Sequence, residues 1–339
     1  MLLDNLIYPL VAAVSLLSSF LVLQLLRHLQ LFDLPNARSS HTIPVPRGGG
    51  VSFTLVYLSL LLWLAVTAEI DLNEALVLMV GGGVLALVGL VDDRFGLSSK
   101  TRFLMQCLCM TLSVLGLYHD QLSSGSLVLW FGLCGLVLAS VWWINLFNFL
   151  DGIDGYATAE ALLICLAAAG LCFLRADSQY PRLFLLLAAV LVGFGVFNWA
   201  PAKLFMGDVG SYFLGFIIAM LAVLTVREQL ISPLVWLVLT ALFWVDASMT
   251  LLRRILNGER WYQAHRSHAY QILSRRWHSH QRVSLLAIAI NVVWLIPMSV
   301  GTQWLLSNNH QGFAWVLAIV ACVPVVAGVR RLRCGVDNG

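Results

Sequence analysis

The sequence predicts an all-α membrane protein that crosses the bilayer many times. Of its 339 residues, 60% are hydrophobic and only 11% are charged, and the mean hydropathy is +0.87. A soluble domain of this length does not carry so much apolar surface, so the composition excludes that class. The apolar stretches are long and do not alternate with polar residues, which favours helices over the strands of a membrane barrel.

Eleven apolar stretches approach the roughly 20 residues that a helix needs to span a bilayer. They lie at about 6–26, 51–68, 75–91, 103–118, 127–144, 157–174, 183–200, 211–226, 233–252, 284–306 and 313–329. We therefore predict about 11 transmembrane helices in a single integral membrane domain over residues 1–339. The seven cysteines lie mainly within these stretches, and their spacing matches neither a zinc site nor a disulfide framework.

The distribution of basic residues predicts the orientation of these helices. With eleven spans, 17 of the 20 Lys and Arg residues fall on one side of the membrane. Loops rich in Lys and Arg face the cytoplasm, so we expect this side to be cytoplasmic, the N-terminus to be outside and the C-terminus to be inside. The connections expected in the cytoplasm are 33–50, 92–102, 145–156, 201–210 and 253–283.

Five acidic residues fall in the three middle connections, namely Asp92, Asp93, Asp151, Asp154 and Asp208. A carboxylate beside a bilayer is costly, and membrane proteins seldom keep one without a use. Several carboxylates on one face indicate a divalent cation and a phosphorylated substrate. The orientation comes from Lys and Arg and the chemistry from Asp, so two independent sets of residues point to the same face.

The first two connections offer groups suited to phosphate. In DLPNARSSHTIPVPRGGG, His41 and Arg47 accompany three consecutive glycines, and both guanidinium groups and accessible backbone amides bind phosphate oxygens. Positive-inside anchoring before a closely packed helix is the alternative. The second connection carries Asp92, Asp93 and Lys100, and the adjacent carboxylates need a cation or a basic partner to stay ionised. Salt bridges at a helix end are the alternative there.

The third connection, NLFNFLDGIDGYA, has no basic residue. Asn145, Asn148, Asp151 and Asp154 are spaced by three, so on a helical turn they would share one side. Carboxylate and amide oxygens suit Mg²⁺, and helix capping is the competing interpretation. A CDP-alcohol phosphotransferase motif would need further aspartates on the following helical turns, and none is present.

The fourth and fifth connections add aromatic and basic side chains. In NWAPAKLFMGDVGS, Phe205 is suited to base stacking or membrane anchoring, and Asp208 to metal binding or helix N-capping. In AHRSHAYQ, His265, Arg266 and His268 are suited to gripping a diphosphate or moving a proton. No cysteine or carboxylate completes a zinc site there. We expect no nucleic acid partner, because at a membrane surface lipid phosphate or a phosphorylated substrate is the nearer partner.

Together these motifs resemble the polyprenyl-phosphate N-acetylhexosamine-1-phosphate transferase family, which includes the phospho-N-acetylmuramoyl-pentapeptide transferase of peptidoglycan synthesis. The resemblance runs from about residue 33 to 271 and keeps the order of the loops. The motifs are PNxRSSHTxPVPRGGG, VDDRFGLSSK, NxxNxxDGxDG, FMGDVGS and a histidine-containing loop. Five motifs in order on one expected face are far more specific than any one alone.

The resemblance implies transfer of an N-acetylhexosamine-1-phosphate from a UDP-sugar to undecaprenyl phosphate, which leaves UMP. It implies Mg²⁺, with Mn²⁺ as an alternative, and a site on the cytoplasmic face of a bacterial inner membrane. The peptidoglycan enzymes carry three consecutive histidines where this chain has AHRSHAYQ, which looks like the branch that initiates O-antigen in lipopolysaccharide synthesis. UDP-GlcNAc and UDP-FucNAc are therefore the expected donors, and a homodimer is expected from the family alone.

Roles are carried over motif by motif. Asp208 and Asn148 are expected to bind the metal. Asp92 and Asp93 are expected to orient or deprotonate the lipid phosphate, and Lys100 to neutralise it. The expected substrate-binding residues are His41, Arg47, Asp151, Asp154, Phe205, His265, Arg266 and His268.

Among these substrate-binding residues, Asp154 and Phe205 match positions that receive the uracil ring in related enzymes. His41, Arg266 and the two histidines of the last loop would flank the diphosphate. Direct in-line attack by the lipid phosphate is the preferred mechanism, and a two-step route through an aspartyl intermediate is the alternative.

A multi-span secondary transporter is the alternative class of protein. Transporters place essential polar groups near the bilayer midplane, on broken helices and often in repeated halves. Here Glu160 and Asp246 are the ionisable groups expected within spans, Asp246 is expected to pair with Arg253, and the two halves of the chain do not match. The sequence therefore favours the enzyme.

Overall fold

A computed structural model describes residues 2–35, 43–175, 179–259 and 266–335. In these ranges the chain is helical apart from short loops and one antiparallel strand pair, β1 (Phe32–Asp33) with β2 (Val45–Pro46). The helices are α1 (Leu2–His28), α2 (Gly50–Val66), α3 (Leu72–Phe95), α4 (Ser99–Leu117), α5 (Leu127–Leu150), α6 (Tyr156–Phe173), α7 (Gln179–Asn198), α8 (Gly207–Arg227), α9 (Pro233–Leu239), α10 (Ala241–Leu256), α11 (Ala269–Trp277), α12 (His280–Ile290), α13 (Ile296–Ser307) and α14 (Gln311–Arg331). The predicted all-α class is confirmed.

Eight helices within the described ranges are long and apolar enough to cross a membrane, or nine if α9 and α10 form one span. They are α1, α3, α5, α6, α7, α8, α14 and the continuous helix α12–α13, which contains a π-helical turn at Asn291–Leu295. Each of the eleven predicted stretches overlaps a helix, but α2 is short and α4 is not among the eight. A polytopic membrane protein is therefore confirmed, whereas the count of eleven and the orientation stay predictions.

The stretch predicted as one span at 233–252 is two helices that meet at an angle of 78°. The helix breaks at Thr240, whose backbone has φ −104° and ψ 11°. The Thr240 hydroxyl donates a hydrogen bond to the carbonyl oxygen of Trp236 at 2.7 Å. Bonds of this kind from Thr to the preceding turn favour bending of helices, and here the bond accompanies the change of direction between α9 and α10.

Helix α8 lies at the centre of the protein, with nearly all of its side chains buried, and it packs against α2, α3 and α5. Glycines allow these backbones to approach closely. A Cβ added at Gly50 would lie 2.3 Å from the Cα of Gly210, and one at Gly89 would lie 2.4 Å from the carbonyl oxygen of Asp208. Small residues serve helix association in lipid, where the hydrophobic effect does not drive it. These crossings bring one end of α2 and of α3 to the first turn of α8.

The fifth connection contains a helix, α11, that was not predicted. Both carboxylate oxygens of Asp246 accept the backbone N–H of Ala269 at 3.0 Å, which places a negative charge at the N-terminus of this helix. The predicted pair between Asp246 and Arg253 is therefore wrong. Arg253 instead donates to the carbonyl oxygen of Cys334 at 2.6 Å.

Candidate active site

Backbone hydrogen bonds join the first and fourth connections beside the first turn of α8. The amide of Phe205 donates to the carbonyl oxygen of Pro46 at 2.9 Å. The amides of Gly49 and Gly50 donate to the carbonyl oxygens of Phe205 and Met206, each at 2.8 Å. The glycine run thus fixes the start of α2 against the segment that opens α8.

Arg47 lies between two carboxylates from different helices. Its Nε is 2.7 Å from Oδ1 of Asp93 on α3, and its Nη2 is 2.9 Å from Oδ2 of Asp208 on α8. Burial alone would lower the pKa of Arg47, but the carboxylates of Asp208 and Asp93 raise it above its usual value. The guanidinium is therefore charged and held in a fork, the arrangement with which Arg binds carboxylates and phosphates.

Asp93 also anchors the N-terminus of α8. Its Oδ1 accepts the amide of Asp208 at 3.0 Å, and its Oδ2 accepts the amide of Val209 at 3.2 Å. The first amides of a helix have no partner within the helix and favour a negative group. Asp93 thereby fixes the place of Asp208 relative to α3.

The end of α5 completes the cluster. Nδ2 of Asn148 donates to Oδ1 of Asp208 at 2.6 Å and to the hydroxyl of Ser211 at 3.1 Å. Asp151 follows the last turn of α5, and its pKa is raised well above the usual value by burial and then by the charge of Asp208. Asn145, expected on the same side, instead donates to the side chain of Gln106 at 2.7 Å.

Asp92 has a different set of partners from its neighbour Asp93. Its carboxylate accepts the amide of Leu97 at 2.7 Å, Nη1 of Arg102 at 3.2 Å and the hydroxyl of Tyr212 at 2.8 Å. The residue is 6% exposed. These contacts tie the α3–α4 turn to α8 and favour a positioning role for Asp92.

Three predicted site residues lie apart from this cluster. Lys100 is exposed on the first turn of α4 and, within the described ranges, makes none of the contacts given above. His41 and His265 lie outside the described residues. The roles expected for these three side chains stay predictions.

A cleft of about 550 Å³ lies beside the cluster and is lined by Asp154, Phe205 and Arg266, all expected to bind the substrate. The backbone of Phe205 pairs with that of Arg47, so the cleft and the cluster share one wall. Nη2 of Arg275 donates to the carbonyl oxygen of Arg266 at 2.8 Å. This bond joins the last turn of α11 to the segment that precedes the helix.

His268 is not in the cleft wall but is buried at the N-terminus of α11. It is 3% exposed, and its Nδ1 lies 3.7 Å from Oδ1 of Asp246. Its ring stacks near Phe149 and Tyr270, with centroid distances of 6.5 and 6.0 Å. This position favours a structural role and gives no support to the predicted contact with a diphosphate.

The donor atoms of the cluster fit a hard divalent cation. Within the described ranges no group of three or more His, Cys, Asp or Glu side chains is preassembled around a metal position. However, the carboxylates of Asp93, Asp151 and Asp208 gather here with Asn148, and such oxygen ligands suit Mg²⁺. Asn148 turns its amide nitrogen toward Asp208, so its amide oxygen would reach a metal shared with Asp208 after the amide turns over.

The helices and this cluster define a polytopic membrane protein with an acidic site at one end of its spans. Residues 75–226 match the family model described as glycosyl transferase family 4. A probable undecaprenyl-phosphate N-acetylglucosaminyl 1-phosphate transferase of Bacillus subtilis is 27% identical, over 86% of this chain and 85% of the relative. The undecaprenyl-phosphate alpha-N-acetylglucosaminyl 1-phosphate transferase of Escherichia coli is 28% identical, over 86% and 80% respectively.

A decaprenyl-phosphate N-acetylglucosaminephosphotransferase of Mycobacterium leprae is 29% identical, over 91% of this chain and 88% of the relative. These matches agree with the resemblance drawn from the five loop motifs. The chain is therefore similar to polyprenyl-phosphate sugar-1-phosphate transferases, in its motifs and over most of its length.

Proposed function

We propose that the protein transfers an N-acetylhexosamine-1-phosphate from a UDP-sugar to undecaprenyl phosphate and releases UMP. The observation that carries this proposal is the fork of Arg47 between Asp93 and Asp208, beside a cleft that holds Asp154 and Phe205. The relatives named above support it, because their names give undecaprenyl or decaprenyl phosphate and N-acetylglucosamine 1-phosphate.

An anionic oxygen must approach an anionic diphosphate in this reaction. An oxygen of the lipid phosphate attacks the phosphorus that bears the sugar, a new P–O–P linkage forms, and the bond to UMP breaks. Neutralisation and alignment of charge therefore supply most of the catalysis. Arg47 is placed to bind a phosphate oxygen with its guanidinium, whereas the amides of Gly49 and Gly50 are already taken by the carbonyl oxygens of Phe205 and Met206.

Mg²⁺ is proposed as the cofactor, with Mn²⁺ as an alternative. Asp208 and the amide oxygen of Asn148 would hold it, with Asp93 and Asp151 nearby. When bound, the ion would neutralise charge that develops on the diphosphate. Asp93 keeps Asp208 in place by accepting hydrogen bonds from the first amides of α8. These bonds are made by the protein's own residues and orient Asp208 toward the proposed metal position.

The two adjacent aspartates are assigned different tasks. Asp93 faces Asp208 and Arg47 and is proposed to orient the lipid phosphate or to take its proton. Asp92 is enclosed by Arg102 and Tyr212, which argues against its carboxylate as a nucleophile. Direct in-line attack is the proposed mechanism, and an aspartyl intermediate on Asp93 is the alternative. Exposed Lys100 is proposed to neutralise the lipid phosphate.

The donor is proposed to lie in the cleft, with its base against Asp154 and Phe205 and its diphosphate near Arg266. The N-acetylglucosamine in the names of the relatives makes UDP-GlcNAc the first candidate and UDP-FucNAc the second. The product would begin a surface polysaccharide such as O-antigen. We propose that the protein crosses a bacterial inner membrane eleven times and that its active site faces the cytoplasm.

The acids within the spans do not favour a transporter. Glu160 accepts a hydrogen bond from the side chain of Asn291 at 2.7 Å, and Asp246 caps α11. The break between α9 and α10 is a feature that transporters share. However, the carboxylate that α10 carries is engaged with Ala269 rather than facing the break.

The test uses purified protein in detergent with undecaprenyl phosphate, Mg²⁺ and, in separate reactions, UDP-GlcNAc, UDP-GalNAc and UDP-FucNAc. UMP release that requires lipid, metal and one donor is the expected result. An Asp208→Ala variant and a reaction without Mg²⁺ are the negative controls. Monodisperse protein that releases no UMP from these donors or from UDP-QuiNAc would contradict the proposal and favour the transporter.

A further inference from the structure

The turn between α11 and α12 forms one wall of the cleft and places His280 beside Asp154. His280 is the first residue of α12, and the roles proposed above do not include it. Nδ1 of His280 lies 3.1 Å from Oδ1 of Asp154 and 3.4 Å from the backbone nitrogen of Asp154, and the two side chains are only 17% and 13% exposed. A shielded pair of this kind holds its geometry better than an exposed pair does.

Local structure fixes the position of His280. The preceding residue, Ser279, caps α12 by accepting the amide of Arg282 at 3.2 Å on its hydroxyl. His278 has a positive φ of 48°, which turns the chain sharply between the two helices. The first residue of α12 is thereby directed at the segment before α6, where Asp154 lies.

Asp154 is held from three directions. Its Oδ2 accepts the amide of Ala202 at 3.0 Å, its Oδ1 contacts His280, and its carbonyl oxygen accepts the hydroxyl of Ser284 at 3.2 Å. Because its two carboxylate oxygens have different partners, the group cannot rotate without losing one of them. A carboxylate oxygen can accept more than one hydrogen bond, and Asp154 lines the cleft, so a ligand there can reach its carboxylate.

We propose that His280 is a positioning residue that fixes the carboxylate of Asp154 toward the cleft and thereby sets the affinity for the nucleotide of the donor. This inference rests on the proposed function, in which the cleft receives a uridine diphosphate sugar. A fixed carboxylate is suited to accept the ring N–H of a pyrimidine base. Without the imidazole, the carboxylate is free to turn about its last torsion, and the base loses a preorganised partner.

The test compares His280→Leu and His280→Asn, with UMP as the probe in calorimetry and UDP-GlcNAc, or the donor that the wild type uses, in turnover. The Asn side-chain amide lies close to the position of Nδ1 and keeps a polar group against Asp154, whereas Leu has none. His280→Leu is expected to raise the Kd of UMP and the KM of the donor about tenfold, with kcat within about threefold. His280→Asn is expected to restore most of the affinity.

His119→Leu is the matched control. Nε2 of His119 lies 3.1 Å from Oδ1 of Asp120, the same separation as in the cleft pair, but this pair is exposed in the connection between α4 and α5. This variant is expected to bind UMP like the wild type. If His280→Leu does not fold, His280→Gln takes its place. The Gln amide lies one methylene farther from the backbone than the Asn amide, so His280→Gln should bind UMP more weakly than His280→Asn.

A double-variant cycle separates positioning from general damage. In an Asp154→Asn background, His280→Leu should have little further effect on the Kd of UMP, since its partner is already altered. Unchanged UMP affinity in His280→Leu, or equal losses with and without Asp154, would overturn the inference. A wild type that neither binds UMP nor releases it would instead overturn the proposed function.

Discussion

The two ends of the α3–α8 pair carry charged clusters of opposite character. At one end the first turn of α3 meets the last turn of α8, and Glu74 pairs with Arg227. Glu74 also accepts hydrogen bonds from the hydroxyl of Tyr180 and the side-chain amide of Gln179, both at 3.0 Å. The residue is 4% exposed. Nε of Arg227 also donates to the exposed carboxylate of Glu228 at 2.9 Å, so the enclosed part of this cluster is one acid paired with one arginine.

At the other end the last turn of α3 meets the first turn of α8, and carboxylates outnumber arginines. Asp93 and Asp208 share Arg47, while Asp92 pairs with Arg102. Asp151 lies close enough to Asp208 for that charge to raise its pKa further. Like charges gathered at low dielectric favour protonation of one carboxylate or a further cation. The contrast teaches that a buried ion pair joins the helices at one end, whereas the excess of carboxylates at the other end supports the cation site proposed there.

The largest expected effect is that of Asp208→Asn. This change removes a charge that holds Arg47 and that is proposed to hold the metal, so UMP release should fall about 10³-fold. Initial rates on monodisperse protein measure it, with Glu228→Gln, just beyond the other end of α8, as the control. A rate within tenfold of the wild type would contradict the assignment of the chemistry to the carboxylate-rich end of the α3–α8 pair.

A steric change at the same end should have the next largest effect. The Cβ of Gly89→Ala would lie 2.4 Å from the carbonyl oxygen of Asp208, so α3 must move away from the first turn of α8. Displacement of about 1 Å at a catalytic site costs up to about 100-fold in rate. Gly83→Ala, on the same helix, meets only Leu58 at 3.9 Å and should retain activity. Equal rates for the two variants would show that the crossing does not position the site.

Tyr212→Phe should have a smaller effect. It removes the hydroxyl that donates to Asp92 but leaves the donors from Leu97 and Arg102. The loss of one hydrogen bond costs about 1 kcal/mol, so UMP release should fall about fivefold. A loss as large as that of Asp208→Asn would mean that Asp92 takes part in the chemistry directly.

Glu74→Gln should change UMP release least, by about twofold or less. Its effect should be on stability, because Arg227 loses its charge-assisted hydrogen bond to the buried carboxylate and keeps only exposed Glu228 as an acidic partner, at a cost of about 2 kcal/mol. Thermal unfolding followed by tryptophan fluorescence should show a lower midpoint, partly restored in Glu74→Gln/Arg227→Gln. A large loss of activity with an unchanged midpoint would show that both ends serve the chemistry.

The helical fold followed from the sequence more readily than the contacts of the site did. Apolar length placed every predicted stretch on a helix, but it did not reveal the break at Thr240, which depends on a hydroxyl bond within one turn. Spacing by three predicted that Asn145 would join Asn148 at the site. The structure turns Asn145 to Gln106 instead, because a neighbouring helix offers it a partner.

Long-range pairing is what the sequence did not reveal. Arg47 and Asp208 are 161 positions apart, and only the fold shows that one guanidinium serves both Asp93 and Asp208. The same holds for His280, which the sequence placed in a basic loop and the structure places against Asp154. The sequence did contain one clue to this convergence. All five motifs lie in loops expected on the same face of the membrane, where they can meet in one site.

Manganese binding tests the central claim most directly. Electron paramagnetic resonance of Mn²⁺ titrated into purified protein should show one site per chain, displaced by Mg²⁺, that is lost in Asp208→Asn and kept in Glu74→Gln. Equal Mn²⁺ binding by the wild type and Asp208→Asn, with both proteins folded, would contradict the assignment of the cation to the carboxylate-rich end.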